Sequence, residues 1–304
     1  MLSKTFVISA ACAVAAVAVG MFAAGMLAAD PPDRVVVKLP YEQHQARGHG
    51  SNTTITYHGG AVMTGAPVNV YIVYYGAVDG GTQDIVNQFF TDLSSSPEYA
   101  VNSTYYDAVP NYIAKTFRFV SLYEDNPPSQ GTSVGSSTVP AILANAITGG
   151  HLPADSHGVY FVVTAPGMKV SGFCKSFCAY HTSTTISGTP IRYALVPDPG
   201  QACTGCDGNF FLGQNVTPNG NQGADEMTDS MIHELSESVT DPDLGAWYTS
   251  NGAENGDLCN YVYGSVSKAP NGAYYNFSAH GNNYLVQLIW SNIAPQACLA
   301  APPK

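Results

Sequence analysis

The strongest constraint on the fold is an alternation of buried-strand and amphipathic-helix patterns that begins at residue 68. Residues 68–76 read VNVYIVYYG, a β-branched and aromatic run ending at a glycine, which predicts a buried strand. In residues 82–93 apolar side chains recur three or four positions apart, which predicts a helix with Thr82 as its N-cap. The alternation continues with predicted strands at residues 117–123, 159–164 and 191–196 and predicted helices at residues 138–147 and 225–239. The fold is therefore predicted to be α/β, a single domain with a mixed β-sheet flanked by helices.

Two stretches interrupt this alternation. Residues 174–181, rich in Cys and Ser, lie between two predicted strands, so His181 is predicted to lie in a loop. Residues 198–223, dense in Gly, Asp and Asn, predict a second, longer loop. Loops of this length inside a domain usually carry function or a disulfide. The chain is predicted to close with a strand at residues 284–290 and a tail containing Cys298.

The N-terminal segment indicates secretion. It carries Lys4 and then no charged residue before Asp30, which is the outline of a signal peptide. We predict a signal peptide at residues 1–29, an extended leader at residues 30–56 and the folded domain at residues 57–304. A retained membrane anchor is the alternative, and the Ala-rich, Gly-containing run disfavours it. The mature protein is expected to be secreted, extracellular or in a cell wall, with no stable membrane association after cleavage.

The charge balance limits the partners. The 304 residues include 22 Asp and Glu against 11 Lys and Arg, a formal net charge of −11. Proteins that bind nucleic acid neutralise phosphates with an excess of cations, so no nucleic-acid partner is expected. The 19 tyrosines fit a carbohydrate or cell-wall contact, although most of them are more simply explained as strand residues. A peptide or cell-wall substrate is the expected partner. The sequence predicts no particular oligomeric state.

The cysteine count predicts disulfides. Loss of residues 1–29 removes Cys12 and leaves six cysteines: Cys174, Cys178, Cys203, Cys206, Cys259 and Cys298. An even number of cysteines in a secreted chain favours a disulfide-stapled fold, and six allow 15 pairings. Spacing permits two local pairs, Cys174 with Cys178 and Cys203 with Cys206. The same C-x3-C and C-x2-C spacings resemble structural zinc ligands, which is the less favoured alternative in an oxidising compartment.

The predicted helix at residues 225–239 carries a motif typical of metal-dependent hydrolases. It contains His233-Glu234-x-x-Glu237, or H-E-x-x-E. In a helix, His233 and Glu237 stand one turn apart on the same face and can bind one zinc ion together. Glu234 is displaced by about 100°, where a general base that activates water would stand. The motif therefore predicts zinc ligands at His233 and Glu237 and a catalytic role for Glu234.

A third ligand must come from elsewhere in the chain. Glu254 lies in an acidic turn after the helix, and His181 would add a second imidazole, so we favour these two residues. Asp241 is a further candidate. Asp243 has the spacing of an extended peptidase motif, but Thr240 stands where that motif uses glycine, which disfavours Asp243.

Two other interpretations of this segment remain. A three-residue pattern also occurs by chance, so the polar helix face could simply be solvated. Alternatively, the segment could hold calcium, because it supplies extracellular carboxylates at Asp241, Asp243, Glu254 and Asp257. Its spacing does not match an EF-hand loop, which makes calcium the less favoured metal.

Several motifs give the chain a family resemblance. The segment YHGGAVMTG at residues 57–65, followed by VNVYIVYYG, resembles the EXORDIUM-like, or phosphate-induced protein 1, family of secreted plant proteins. Cys178-Ala179-Tyr180, the segment VTDP at residues 239–242 and Cys298 extend the resemblance over most of the mature chain. The resemblance implies an extracellular or cell-wall protein linked to growth and nutrient response, and it supplies no established reaction.

The chain departs from that family at the metal motif. Plant members have an uncharged segment in place of His233 to Glu237, and T-N-P in place of Thr240-Asp241-Pro242. The resemblance therefore implies no metal site, and the zinc prediction rests on the residues of this chain. We predict a zinc-dependent hydrolase of peptidase type, in a disulfide-stapled α/β domain for which a zincin-like arrangement is one expectation. The alternative is a noncatalytic extracellular or cell-wall protein in growth or nutrient-response signalling.

Overall fold

A computed structural model describes residues 36–38, 54–200, 203–294 and 296–304. The helices are α1 (Gly80–Leu93), α2 (Pro97–Ala100), α3 (Thr138–Thr148), α4 (Gly208–Phe211) and α5 (Gln222–Thr240), with 3-10 turns at Val101–Thr104, Thr204–Cys206 and Asp257–Cys259. The longer strands are β3 (Asn69–Tyr75), β4 (Arg118–Asp125), β6 (Gly158–Thr164), β8 (Ala179–Ile186) and β9 (Thr189–Pro197). The short strands are β1 (Val36–Lys38), β2 (Thr56–Tyr57), β5 (Ser133–Val134), β7 (Lys169–Val170), β10 (Trp247–Tyr248), β11 (Ser267–Lys268), β12 (Tyr274–Tyr275), β13 (Phe277–Ala279), β14 (Asn282–Tyr284), β15 (Ile289–Trp290) and β16 (Cys298–Leu299). The predicted signal peptide lies outside the described residues.

Six strands form the central sheet, in the order β1-β8-β9-β6-β3-β4. Strands β4, β3, β6 and β9 are parallel, whereas β8 runs antiparallel to β9 and β1 antiparallel to β8. From β3 the chain crosses to β4 on one side and then returns to β6 on the other side. This order places a topological switch point between β3 and β6, as in doubly wound α/β sheets. The predicted mixed sheet is confirmed.

Helices cover both faces of this sheet. Alternate side chains of β3 and β6 point to opposite faces because strand residues have a period of two. Val70 and Phe161 pack with α1 and α5, while Val73 and Tyr160 pack with α3. The domain therefore has three layers, with α5 lying against β8 and β9. Among the described helices, none is long and apolar enough to cross a membrane.

The predicted helix positions are confirmed, with ends shifted by up to three residues. The predicted N-cap Thr82 is wrong. The N-cap is Asp79, whose carboxylate accepts a hydrogen bond from the Thr82 backbone N–H at 3.0 Å, so α1 begins two residues earlier than predicted. The predicted long loop at residues 198–223 contains the short helix α4, capped by Asp207.

One loop prediction and one strand prediction also need correction. His181 lies in strand β8 rather than in a loop, and Tyr180 and His181 pair with Leu195 and Ala194 of β9. The apolar run at residues 284–290 is not one strand. It contributes the end of β14 and the whole of β15, and Gln287 between them donates its backbone N–H to Asp229 rather than to a strand partner.

Three disulfides form, as predicted, and the two local pairs that the spacing permits are not among them. The structure pairs Cys174 with Cys203, Cys178 with Cys206, and Cys259 with Cys298. The first two bonds tie the segment before β8 to the long loop after β9. These sulfurs are consumed in disulfides, so they do not supply the thiolates that a structural zinc site needs.

Peptide mapping tests this connectivity. Digestion of the unreduced protein is expected to release one peptide that joins Cys259 to Cys298. Replacing both of these cysteines by serine is expected to lower the free energy of unfolding by about 2–5 kcal/mol, measured by denaturant titration. Recovery of a peptide linking Cys174 to Cys178 without Cys203 would contradict the pairing.

Candidate metal centre

Helix α5 carries its polar residues inside the protein. Its N-cap Asn221 accepts a hydrogen bond from the Ala224 backbone N–H at 3.2 Å, and every residue from Gly223 to Thr240 is buried. One side packs into the core through Met231, Ile232, Leu235 and Val239. The other side presents His233, Glu234 and Glu237, all 0% exposed. The helix face is therefore not solvated, and its charged groups must be compensated within the fold.

Strand β8 and the turn after α5 bring the two favoured third ligands to this helix. His181 is fully buried, and its Nδ1 lies 3.3 Å from Glu234 Oε2 and 3.3 Å from Glu237 Oε2. The other ring nitrogen, Nε2, lies 3.4 Å from Glu254 Oε2, which is also fully buried. The structure thus places His181 between two helix carboxylates and Glu254.

His233 faces a separate set of partners. Its Nδ1 lies 3.0 Å from Gln287 Oε1, and the amide nitrogen of Gln287 donates to the Gly256 carbonyl at 2.8 Å. Because that donation fixes Oε1 as the acceptor, His233 must carry a proton on Nδ1. Nε2 then faces Glu237 Oε1 at 3.1 Å and Asp257 Oδ1 at 3.8 Å.

Glu237 is the residue common to both sets of contacts. Two groups have ligand atoms within 4.8 Å of one another: His181 with Glu237 and Glu254, and His233 with Glu237 and Asp257. Each group offers one imidazole and two carboxylates. We call the five side chains of these groups, together with Glu234, the Glu237 centre.

Several buried atoms of the Glu237 centre have no hydrogen-bond partner. They are His181 Nε2, His233 Nε2, Glu234 Oε1, Glu237 Oε2 and both carboxylate oxygens of Glu254. Leaving a buried polar atom unpaired costs about 1–3 kcal/mol, and more when the group is charged. Unpartnered ring nitrogens that face carboxylate oxygens are the donor set that a divalent transition metal takes.

Burial and mutual charge shift the ionisation of the metal-free centre. Burial opposes ionisation of Glu237, but the charges of His233 and His181 outweigh it and lower its pKa to about 2. Burial, with the Glu237 charge, raises the pKa of Asp257 to about 7 and that of Glu254 well above its usual value. Burial disfavours the imidazolium of His181, yet Glu234 and Glu237 raise its pKa to about 10. Without a metal, the ligand atoms of these side chains therefore tend to hold protons, which a bound metal ion would displace.

The other two predicted ligands lie differently. Asp241 ends α5, and its Oδ1 accepts the backbone N–H groups of Gly245 and Ala246 at 2.5 and 2.6 Å, while its buried Oδ2 has no partner. Asp243 forms an ion pair with Arg192 at 2.7 Å, so its carboxylate is engaged outside the Glu237 centre. The structure therefore does not bring together the complete carboxylate set of the calcium interpretation.

Sequence reasoning missed Gln287 and did not select Asp257 for zinc. A weak signal for Gln287 exists, because it is the one polar residue in the apolar run YLVQLIW. Gly256 also matters, since a Cβ there would stand 2.8 Å from Glu237 Oε1 and 3.0 Å from His233 Cγ. Only glycine lets the turn from Glu254 to Asp257 approach α5 this closely.

A separate crevice of about 350 Å³ lies at the carboxyl ends of the parallel strands. Its lining includes Asp79 after β3, Pro166 after β6, Asp198 after β9 and Gly223 at the start of α5. Ligands of doubly wound sheets commonly bind at this position. The residues of the Glu237 centre do not line this crevice.

The described residues define a disulfide-closed α/β protein whose sheet covers a buried cluster of imidazoles and carboxylates. A family model, described as the phosphate-induced protein 1 conserved region, matches residues 55–301. The chain therefore belongs to the phosphate-induced protein 1 family, which confirms the resemblance found in the sequence.

Curated relatives agree with this assignment. The chain is 27% identical to Protein EXORDIUM-like 5 of Arabidopsis thaliana, over 80% of this chain and 77% of the relative. It is 26% identical to Protein EXORDIUM-like 3 of the same plant, over 81% and 83% of the two chains. It is 23% identical to Protein PHOSPHATE-INDUCED 1 of Nicotiana tabacum, over 79% and 86%. No solved structure matches the chain.

A buried carboxyl on α5 outside the centre gives a pH prediction. Glu226 is 2% exposed, and burial, with a smaller effect of Asp207, raises its pKa to about 10. The folded state therefore holds a proton that the unfolded state releases above about pH 4.5. The stabilisation that the protonated Glu226 contributes is fully present below that pH. Above it, this contribution to the free energy of unfolding falls by up to about 1.4 kcal/mol per pH unit toward pH 10.

Glu226→Gln removes this titration, so the variant should gain stability over the parent as pH rises from 5 to 9, measured by denaturant unfolding. Asp84→Asn, at an exposed position of α1, is the matched control and should show no such trend. A difference between Glu226→Gln and the parent that stays constant with pH would contradict the assignment.

Proposed function

We propose that this chain is a secreted metalloprotein that holds zinc in the Glu237 centre and acts as a hydrolase of peptidase type. Its substrate would be a peptide or a peptide-bearing cell-wall component. The observation that carries the proposal is the convergence of two imidazoles and two further carboxylates, those of Glu254 and Asp257, on Glu237, with several of the donor atoms buried and unpartnered. The three disulfides support secretion, because such bonds persist in oxidising compartments.

The donor set fits zinc better than calcium. Calcium takes six to eight oxygen ligands and does not favour nitrogen, whereas His181 and His233 would supply imidazoles. Zinc is bound by mixed sets of His and carboxylate ligands. The tautomer of His233 also suits a metal. Gln287 Oε1 accepts a hydrogen bond from the protonated Nδ1, which leaves the unprotonated Nε2 directed at Glu237 and Asp257. The orienting amide is in turn fixed by the Gly256 carbonyl.

The residues of the centre have distinct roles in the proposed hydrolysis. When bound, zinc supplies Lewis-acid chemistry that polarises a carbonyl and makes water easier to deprotonate. Glu234 accepts the proton of the attacking water at Oε1, the oxygen without a hydrogen-bond partner. Its other oxygen, Oε2, accepts a hydrogen bond from His181 Nδ1 at 3.3 Å and so holds that ring in position.

A specific observation favours a second function. His181, His233, Glu234, Glu237 and Glu254 are each 0% exposed. A peptidase must admit a peptide to its metal, while a structural metal site is closed. The second candidate is therefore a noncatalytic extracellular or cell-wall protein in growth or nutrient-response signalling, in which the metal stabilises the fold. The name PHOSPHATE-INDUCED 1 of the tobacco relative fits a nutrient-response role.

Metal analysis combined with peptide hydrolysis separates these functions. The purified protein is expected to contain zinc by elemental mass spectrometry and to lose stability when the zinc is chelated. Glu237→Gln should lose zinc. Glu234→Gln should keep zinc and lower the hydrolysis rate on a peptide library by about 10²–10⁴-fold, since it removes a general base.

Glu124→Gln is the matched control, because Glu124 is exposed on strand β4. It should change neither zinc content nor hydrolysis. Zinc without hydrolysis in the parent protein would reject the peptidase and leave the noncatalytic function. A parent protein that binds no divalent metal would reject both forms of the proposal.

A further inference from the structure

We infer that the Glu237 centre holds two divalent metal ions rather than one, with Glu237 as the carboxylate that they share. This inference rests on the proposed metal-binding function and adds a second site to it. One site consists of His233, Glu237 and Asp257, and the other of His181, Glu237 and Glu254. The bound ions would be zinc or another transition metal that accepts both imidazole and carboxylate ligands.

The two oxygens of Glu237 face different imidazoles. Oε1 lies 3.1 Å from His233 Nε2, while Oε2 lies 3.3 Å from His181 Nδ1. The backbone N–H of Asp257 donates to Oε1 at 3.0 Å and holds the carboxylate in this orientation. Oε2 has no hydrogen-bond partner, so it remains available to a second ion held by His181 Nε2 and Glu254, while Oε1 serves the ion at His233.

The outer carboxylates also divide between the two groups. Asp257 Oδ1 lies 3.8 Å from His233 Nε2, whereas Glu254 Oε2 lies 3.4 Å from His181 Nε2. The backbone links them, because the Glu254 N–H donates to Asp257 Oδ2 at 3.1 Å. One turn of the chain therefore supplies one carboxylate to each imidazole.

Orphaned donor atoms occur in both groups. In the His233 group, Nε2 has no hydrogen-bond partner although it faces two carboxylate oxygens. In the His181 group, Nε2 and both oxygens of Glu254 lack partners. A single ion within one group would leave the buried atoms of the other group uncompensated, at about 1–3 kcal/mol or more per atom.

Charge balance favours the same stoichiometry. Glu234, Glu237, Glu254, Asp257 and the adjacent Asp241 are five carboxylates. The two imidazoles must be neutral to act as ligands, so they offset none of this charge. With all five ionised, one divalent ion would leave a net charge of about −3 in the interior, and two would leave about −1. An uncompensated buried charge costs several kcal/mol, so a second ion would compensate the carboxylates that a first ion leaves unbound.

The experiment counts metal ions on the full chain. Protein refolded or exchanged into excess zinc, then freed of loose metal by gel filtration, is analysed by native and elemental mass spectrometry. The parent is expected to bind two zinc ions per chain. His181→Gln and His233→Gln should each bind one, and Glu237→Gln should lose affinity for both.

A spectroscopic measurement supports the count without any substitution. Two ions that share a carboxylate lie about 3.5–4 Å apart, so two manganese ions should show magnetic exchange coupling by electron paramagnetic resonance. His157→Gln is the matched control, since His157 is only partly buried and bonds the Ala66 carbonyl outside the centre. It should keep two zinc ions and the coupled signal.

The outcomes distinguish this inference from the function on which it rests. One zinc ion in the parent, with an uncoupled manganese signal, would overturn the two-ion centre and leave the single-metal proposal. No metal in the parent would overturn the proposed function itself. If a histidine variant fails to fold by circular dichroism, the parent stoichiometry and its coupled signal still decide the inference.

Discussion

The buried carboxylate of Glu237, set between two imidazoles, is the interaction on which the interior of this protein depends. Its oxygens lie 3.1 Å from His233 and 3.3 Å from His181, and all three side chains are fully buried. Ionic groups are buried only when they are paired, protonated or bound to a metal. The packing of α5 beneath the sheet is therefore possible only because β8 and the turn after α5 deliver compensating groups to its polar side.

The fold explains how residues so distant in the chain meet. Side chains alternate along strand β8, so His181 faces α5 while Tyr180 points to the opposite face with α3. Disulfides from Cys174 and Cys178 tie the entry to this strand to the long loop before α5. Gly256 then allows the acidic turn to lie close to the helix, because a Cβ at this position would stand only 2.8 Å from Glu237 Oε1. Strand β8 supplies one imidazole, the turn supplies two carboxylates, and α5 supplies the other imidazole and the shared carboxylate.

Family membership and the Glu237 centre carry different information. The phosphate-induced protein 1 match covers residues 55–301 and so includes five of the six strands of the central sheet and the helices, whereas the centre consists of a few side chains on that scaffold. A shared fold does not establish a shared reaction. The crevice at the carboxyl ends of the strands is the usual ligand position of such a sheet, yet the imidazoles and carboxylates gather beneath β8 instead. The chemistry of this chain is thus argued from the centre.

The sequence by itself determined the α/β class, the positions of the long helices and the placement of His233 and Glu237 on one helical turn. These features depend on periods of two and 3.6 residues, which local sequence displays directly. Only the tertiary structure decided that the polar face of α5 is buried, that His181 lies in a strand, that Gln287 fixes a tautomer and which cysteines pair. Such contacts join residues tens of positions apart, and no local period encodes them. They arise because the sheet, α5 and the acidic turn must pack together and compensate one another's buried charges.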